Sequence, residues 1–222
     1  MSVYSQTHSV CESERYDTKK AKEAIEVILL SEPNNVTCML QLANIFLKQG
    51  HISRGFEILV DAYSMAPHAV QGSSVAAVLP FALKVSSLKK QAIKTNDPQM
   101  WNKLGDGYFE MGIFNEATAM YKNSLDADEK QHEIRLKLSL SMQKNCQTYS
   151  ALEELQKIVQ DEKNNLYANY YLGKILMYDV KNVNKARYYF AEAKMSLIAQ
   201  KDEIEYVKYT NLLSDITKEL GE

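Results

Sequence analysis

Residues 101–125 read WNKLGDGYFEMGIFNEATAMYKNSL and contain the only tryptophan of the chain. Four of these residues recur at helical spacing and would share one face of a helix: Trp101, Leu104, Gly105 and Tyr108. Gly112 can adopt the positive φ of a helix end, and Asn115 can cap a second helix. The small residues Gly105 and Ala117 would let the two backbones approach closely. This stretch therefore predicts a hairpin of two packed α-helices.

The hairpin pattern recurs along the chain. Copies begin near Val36, Pro98, His132 and Leu166, and residues 21–33 look like the second helix of a further copy. The pattern resembles the tetratricopeptide repeat, W-x2-L-G-x2-Y…A-x3-F…P, whose period is about 34 residues. The resemblance implies an all-α fold, an α-α superhelix (solenoid) of about four to five helical hairpins with a C-terminal capping helix. The half copy at the start is compatible with a longer solenoid.

The repeat register predicts a division of the chain into five segments. They are a polar N-terminal segment (1–15), N-terminal repeats (16–69), an irregular connector or degenerate repeat (70–97), three repeats (98–200) and a capping helix (201–222). The connector could also be a single longer helix that Pro80 kinks or splits. The capping helix would cover the last repeat with an apolar stripe: Tyr206, Tyr209, Leu213, Ile216 and Leu220.

The resemblance also implies that the first helices of the hairpins line a concave surface. Residues on these helices that face away from their own hairpin are the candidates for binding a partner: Leu40, Asn44, Leu47, Asn102, Asp106, Phe109, Leu136, Leu140, Tyr170, Lys174, Met177 and Tyr178. Many of them are apolar, which suits an amphipathic helix or an extended peptide. The alternative is that a good part of these apolar side chains pack against neighbouring repeats or the capping helix.

Composition narrows the function classes. With 26 basic and 28 acidic residues the net charge is −2, so we expect no nucleic-acid binding. Three cysteines without CxxC spacing argue against disulfides and zinc and favour a cytoplasmic location. Cys38 and Cys146 are expected on helices as small core residues. The N-terminal residues do not resemble a secretory signal, and the longest apolar stretch is too short for membrane insertion.

Chemistry-bearing motifs are missing from the sequence. Gly105-Asp106-Gly107 is not a nucleotide loop, because it falls inside a helix and Glu110 stands where the third glycine belongs. We therefore predict a non-enzymatic protein without catalytic residues, cofactor or metal. The tyrosine runs Tyr170-Tyr171 and Tyr188-Tyr189-Phe190 are expected to alternate between core and surface at helical spacing, with core favoured.

The leading hypothesis is an interaction module, an adaptor, chaperone or complex subunit that binds a peptide or amphipathic helix of another protein in its groove. The alternative is an architectural subunit that self-assembles into a larger complex. An RNA-binding helical repeat is less favoured because the chain lacks a basic stripe.

Overall fold

The computed structural model describes residues 3–201, Ile204 and residues 206–221, with the backbone alone for residues 3–16 and Tyr206. All regular structure within these residues is helical. The helices are α1 Val3–Ser31, α2 Val36–Lys48, α3 Ile52–Met65, α4 Pro67–Gln71, α5 Leu79–Thr95, α6 Pro98–Glu110, α7 Phe114–Ala127, α8 His132–Lys144, α9 Thr148–Asp161, α10 Leu166–Tyr178, α11 Val183–Ala199 and α12 Tyr206–Leu220. The prediction of an all-α chain of consecutive hairpins with a closing helix is confirmed.

The helices form two compact units, Met1–Lys94 (unit 1) and Thr95–Glu222 (unit 2). The boundary falls inside the predicted connector 70–97. The predicted polar segment 1–15 is helical from Val3 onward, as the first half of α1. Met1, Ser2 and the side chains of residues 3–16 lie outside the described residues.

Unit 1 is built around the hairpin α2–α3. Asn35 begins α2, its Oδ1 accepting a hydrogen bond from the backbone N–H of Cys38 at 3.1 Å. Ile25 of α1 packs against the buried face of α2, which includes Cys38. On the other side of the hairpin, α3 shares a core with the segment that follows it, down to Leu79 and Ala82. The expectation that Cys38 is a small core residue is therefore confirmed.

The connector differs from the prediction at Pro80. This residue neither kinks nor splits a helix, because α5 begins at Leu79 and Pro80 lies in its first turn. The missing N–H of proline is tolerated there, since the first turn of a helix has no partner for it. The short α4 and a 3-10 turn, Ala76–Val78, precede α5. The segment is therefore a pair of helices of unequal length.

Unit 2 contains the hairpins α6–α7, α8–α9 and α10–α11. Asp97 caps α6, and Asn165 caps α10. Gly112 follows α6 with φ 73°, as predicted. At the crossing of α6 and α7, a Cβ added to Gly105 would lie 2.5 Å from the ring of Tyr121, so only glycine permits this approach.

Two predictions about turns are wrong. Asn115 does not cap α7, because the helix begins at Phe114 and Ile113 takes the N-cap position. Asn115 instead accepts a hydrogen bond from the side chain of Asn145. Cys146 is not a core residue on a helix. It is exposed in the turn after α8, with φ 59°.

The last helix, α12, closes unit 2 by packing on α11. Ile216 of its predicted apolar stripe is fully buried. Tyr209, Leu213 and Leu220 are half-buried, and the side chain of Tyr206 lies outside the described residues. An amphipathic helix at the end of the stack removes the apolar surface of the last hairpin from water.

Candidate functional site

The first helices of the three hairpins in unit 2 are joined directly to one another. Lys137 Nζ on α8 lies 3.1 Å from Asp106 Oδ1 on α6, which makes an ion pair between the two helices. Gln143 on α8 donates a hydrogen bond to Asp179 at the end of α10, at 2.8 Å. The helices α8 and α10 also lie against each other. The exposed side of α6, α8 and α10 is therefore one surface, which we call the first-helix surface.

Four of the predicted partner-binding residues give the first-helix surface its apolar character. Leu136 and Leu140 are half-buried and lie one helical turn apart on α8. Phe109, also half-buried, packs edge-on against Phe114 with ring centroids 5.3 Å apart. Met177 on α10 is half-buried as well. These four side chains are each partly buried within the hairpins and partly accessible to solvent.

A polar network surrounds Asp106. The hydroxyl of Tyr121 donates to Asp106 Oδ1 at 2.7 Å, and burial together with this bond raises the pKa of Tyr121. Burial alone would lower the pKa of Lys137, but Asp106 and Glu133 raise it above its ordinary value. Lys137 is thus a cation held beside the apolar residues of α8. Asp106, which accepts from both donors, is fixed in place.

Asn102 lies at the edge of the same network. Its Nδ2 donates to Oε1 of Gln131 at 3.0 Å, which connects α6 with the turn before α8. Its Oδ1 is shielded from solvent and has no hydrogen-bond partner among the described residues. A buried acceptor without a donor is costly, and because this oxygen is shielded, a partner could reach it only if the side chain of Asn102 moved.

The three remaining predicted residues of unit 2 lie beside α12, and their use by a partner stays a prediction. Tyr170 is only 7% exposed, and its hydroxyl donates to Asp215 on α12 at 3.0 Å. The hydroxyl of Tyr178 donates to Glu219, also on α12. Lys174 lies over the ring of Tyr170, 5.4 Å from its centroid. Helix α12 therefore covers Tyr170, whereas Tyr178 stays 49% exposed beside it.

The predicted residues of unit 1 are engaged in packing. Leu40 and Leu47 lie against the core that α2 and α3 share, and Leu47 fills the space beside Gly55. Asn44 is half-buried on the same helix. Most of the surface of the two leucines is therefore used within unit 1, as the alternative expectation had it.

Sequence reasoning missed Lys137 and Gln131, which shape the polar part of the first-helix surface. The repeat period of about 34 residues could have indicated Lys137. This residue comes 31 positions after Asp106, about one helical turn before the equivalent place on the adjacent first helix. Among the residues that the structure describes, no group of His, Cys, Asp and Glu side chains is arranged to hold a metal ion. No helix in this part of the chain is long and apolar enough to cross a membrane.

Comparison with known proteins gave no match to any family model and none to a curated protein. Solved structures do match. Yeast Tom70 aligns with a TM-score of 0.50 at 11% identity, over 89% of this chain and 42% of Tom70. The TPR2AB domain of yeast Sti1, in its complex with pHSP90, aligns at 0.48 and 13% identity, over 94% of this chain and 82% of that one. The chain has a tetratricopeptide-repeat fold.

A further structure with a similar tetratricopeptide-repeat arrangement is that of MamA. It aligns with a TM-score of 0.46 at 16% identity, over 92% of this chain and 99% of MamA. In the terms of this fold, α6, α8 and α10 are the first helices of three tetratricopeptide repeats, and α7, α9 and α11 are the second helices. At these identities the likeness extends to the fold alone.

Proposed function

We propose that this protein is a non-enzymatic interaction module whose first-helix surface binds a peptide or an amphipathic helix of another protein. The observation that carries the proposal is the pair Leu136 and Leu140, which lie one turn apart on α8 and stay partly accessible. A partly accessible apolar strip beside charged groups is typical of a surface that docks the apolar face of a partner.

The neighbouring polar groups would orient the partner. Lys137, which lies beside the two leucines on α8, can bind a carboxylate of the peptide. Phe109 and Met177 would extend the apolar contact to either side of α8. Of the predicted set, Tyr170 is left out, since it is buried against α12, whereas the exposed Tyr178 stays in the set. The partner is therefore expected on α6, α8 and the accessible part of α10.

Selection from a random-peptide display library tests this proposal. Selected peptides would be titrated by calorimetry against the wild type and against the double variant Leu136→Glu, Leu140→Glu. We expect at least about a tenfold loss of affinity, because two carboxylates would then be desolvated under the partner. The control is Ile198→Glu, at an exposed position of α11 (54%). Peptides that bind the double variant as tightly as the wild type would contradict the proposal, provided that its helical circular dichroism is unchanged.

A second candidate function, self-assembly, is favoured by α1. Leu30 is 84% exposed and Val27 65% exposed on this helix, and Ile28 beside them is exposed too. Such a group of large apolar side chains is suited to contact with a second copy of the chain. Light scattering over a concentration series tests it: the mass should rise for the wild type and stay constant for Val27→Glu, Leu30→Glu. A wild type that remains monomeric throughout would exclude self-assembly through α1.

We further propose an intracellular, cytoplasmic setting, which the free cysteines Cys38 and Cys146 support. We retain the five-segment division at residues 15, 69, 97 and 200 as a proposal about domain organisation. Limited proteolysis tests that division, because cleavage should concentrate at residues 72–75 and 96–97, on either side of α5, and near residue 201. Cleavage within the hairpins instead would contradict it.

A further inference from the structure

A cleft of about 530 Å³ opens between the second helices α9 and α11 of unit 2. The first helices α8 and α10 lie against each other, whereas α9 and α11 approach one another less closely. The space between them is floored by Leu152 and Leu176, which belong to the buried core. The walls of the cleft therefore belong to second helices, while the first helix α10 contributes Leu176 to its floor. None of the residues that we assign to the first-helix surface lines it.

Tyrosines form the walls of this cleft, which we call the tyrosine cleft. Tyr149 on α9 is 73% exposed, and Tyr188 on α11 is 53% exposed. Tyr189 packs edge-on against Tyr188, with ring centroids 5.3 Å apart. The aromatic run 188–190 alternates between surface and core, as expected, since Tyr188 lies on the side of α11 opposite the fully buried Phe190. Large aromatic faces are thus presented to solvent on both sides of an apolar floor.

The polar groups at the tyrosine cleft can act as hydrogen-bond donors. Lys185 offers an ammonium group, and Gln156 and Asn184 offer exposed amides. The Oδ1 of Asn182 is already used, since it accepts from the backbone N–H of Lys185 at 3.2 Å. Its NH2 group is the part left for a ligand. No carboxylate lines the cleft within the described residues.

This chemistry selects a ligand that presents acceptors and flat apolar rings. A proline-rich segment does both, because proline has no N–H and its carbonyls are not used by the polyproline II helix. Aromatic-lined grooves are the surfaces on which such segments dock. We propose that the tyrosine cleft binds a proline-rich peptide of another protein, with an acidic residue of that peptide beside Lys185.

The dimensions agree with this ligand. From Tyr149 to Gln156 the wall formed by α9 is about 10 Å long, at about 1.5 Å per helical residue. One turn of polyproline II spans about 9 Å, from three residues of about 3.1 Å each. One turn therefore fits along the wall, with proline rings against Tyr149 and Tyr188. An amphipathic α-helix would leave its polar face against the donors without supplying free carbonyls.

The test is fluorescence anisotropy with the full chain and a labelled peptide of about nine prolines ending in glutamate. A glycine-serine peptide of equal length, also ending in glutamate, is the control probe. We expect binding of the proline peptide alone. Tyr149→Ala and Tyr188→Ala should each weaken it at least about tenfold, because each removes one wall of the cleft. Both side chains are largely exposed, so these variants should keep the fold.

Matched variants make the result specific. Met195→Ala, at an exposed position further along α11 (58%), should change the affinity less than about twofold. Lys185→Glu should weaken binding of the peptide that ends in glutamate and strengthen binding of one that ends in lysine. The double variant Leu136→Glu, Leu140→Glu should leave this binding unchanged, so failure here and failure of the first-helix surface are distinguishable. No binding at about 1 mM peptide, equal binding of both probes, or binding insensitive to Tyr188→Ala would overturn the proposal.

Discussion

Two neighbouring hairpins of unit 2, α6–α7 and α8–α9, have the same repeat register but place different kinds of residue at equivalent buried positions. Trp101 on α6 is 6% exposed, and Arg135, at the corresponding place on α8, is 7% exposed. The indole is an apolar filler. The guanidinium donates to Glu154 on α9 at 2.6 Å and to the carbonyl of Glu129 at 3.2 Å. This position of the hairpin thus holds a large buried side chain. A charged side chain can take the place of the indole when the second helix supplies a carboxylate for it.

The crossing of the helices shows the same compensation. On α6, Gly105 meets the ring of Tyr121, and on α10, Gly173 meets the ring of Phe190, in both cases with no room for a Cβ. In α8–α9 the corresponding residues are Ser139 and Leu155, both fully buried. A residue with a Cβ is thus matched by a leucine, and a glycine by an aromatic ring. Volume is conserved across the crossing while the residues change.

The largest expected effect comes from removing the side chains of the first contrast, Trp101 and Arg135. Trp101→Ala should lower the free energy of unfolding by about 4 kcal/mol, because it removes a large buried side chain. Arg135→Ala should cost about 2 kcal/mol, since Glu154 is left partly buried but keeps Lys157 at 2.8 Å. Urea unfolding followed by circular dichroism measures both.

A double variant sharpens the contrast. Arg135→Met combined with Glu154→Leu replaces the ion pair by apolar side chains. The free energy of unfolding of this double variant should lie within about 1 kcal/mol of the wild-type value. If the double variant is no more stable than Arg135→Ala, then Arg135 has a role at this position that apolar filling cannot replace. The lowered pKa of Glu154 agrees with the pairing: burial would raise it, but hydrogen bonds from Lys157 and Arg135 lower it.

The second prediction concerns the helix crossings. Gly105→Ala should destabilise unit 2 by about 2 kcal/mol, because the new Cβ would lie 2.5 Å from the ring of Tyr121. Ser139→Ala removes only a hydroxyl that donates to the carbonyl of Leu136, and it should cost less than about 1 kcal/mol. Gly105→Ala combined with Tyr121→Leu should recover part of the loss. Equal effects of Gly105→Ala and Ser139→Ala on the urea midpoint would contradict the volume rule.

The hairpins could be predicted from the sequence because helical spacing fixes which residues share a face. Trp101, Leu104 and Tyr108 are buried as predicted, and Gly112 has the predicted positive φ. The spacing does not tell which second element covers a face. The covering of Tyr170 by α12 depends on how the chain returns after α11, which no local pattern encodes.

The same reason explains why the sequence could not tell which members of the aromatic run on α11 are buried. Tyr188 and Phe190 are both large aromatic residues, two positions apart, yet Tyr188 is exposed and Phe190 is fully buried. The orientation of α11 decides between them, and a run of aromatic residues carries little information on it. Leu136 and Leu140 were placed correctly on α8, but their use by a partner remains a prediction. The partner itself is not encoded in the repeat.

A third contrast lies in the turns after α6 and α8. Gly112 has φ 73°, and Cys146, at the corresponding position, has φ 59°. A left-handed conformation costs a residue with a side chain roughly 1–2 kcal/mol, while glycine loses more entropy on folding. Cys146→Gly should therefore stabilise the protein by about 0.5 kcal/mol, and Gly112→Ala should destabilise it by about 1 kcal/mol. A lower urea midpoint for Cys146→Gly, measured under reducing conditions, would show that the turn is not strained.

The smallest expected effect concerns the starts of the two hairpins, where Pro98 begins α6 and His132 begins α8. His132 lies 2.9 Å from Glu162 and 3.1 Å from Asp161 at the end of α9. The hydrogen bond with Glu162 raises the pKa of His132, burial opposes this rise, and Asp161 adds to it. The protonated imidazole therefore favours the folded state.

A group with a raised folded pKa contributes stability that is fully present below its unfolded pKa, about 6.5, and is lost as the pH rises through its folded pKa. The stability difference between the wild type and His132→Gln should accordingly be larger at about pH 6 than at about pH 8.5. The change should stay below about 1 kcal/mol, because the carboxylates are largely exposed. Thermal unfolding at both pH values measures it, with His68→Gln on α4 as the control. A stability difference that is larger at high pH would mean that neutral His132 makes the stabilising contact. An ion pair between His132 and the carboxylates at the end of α9 would then not stabilise the hairpin.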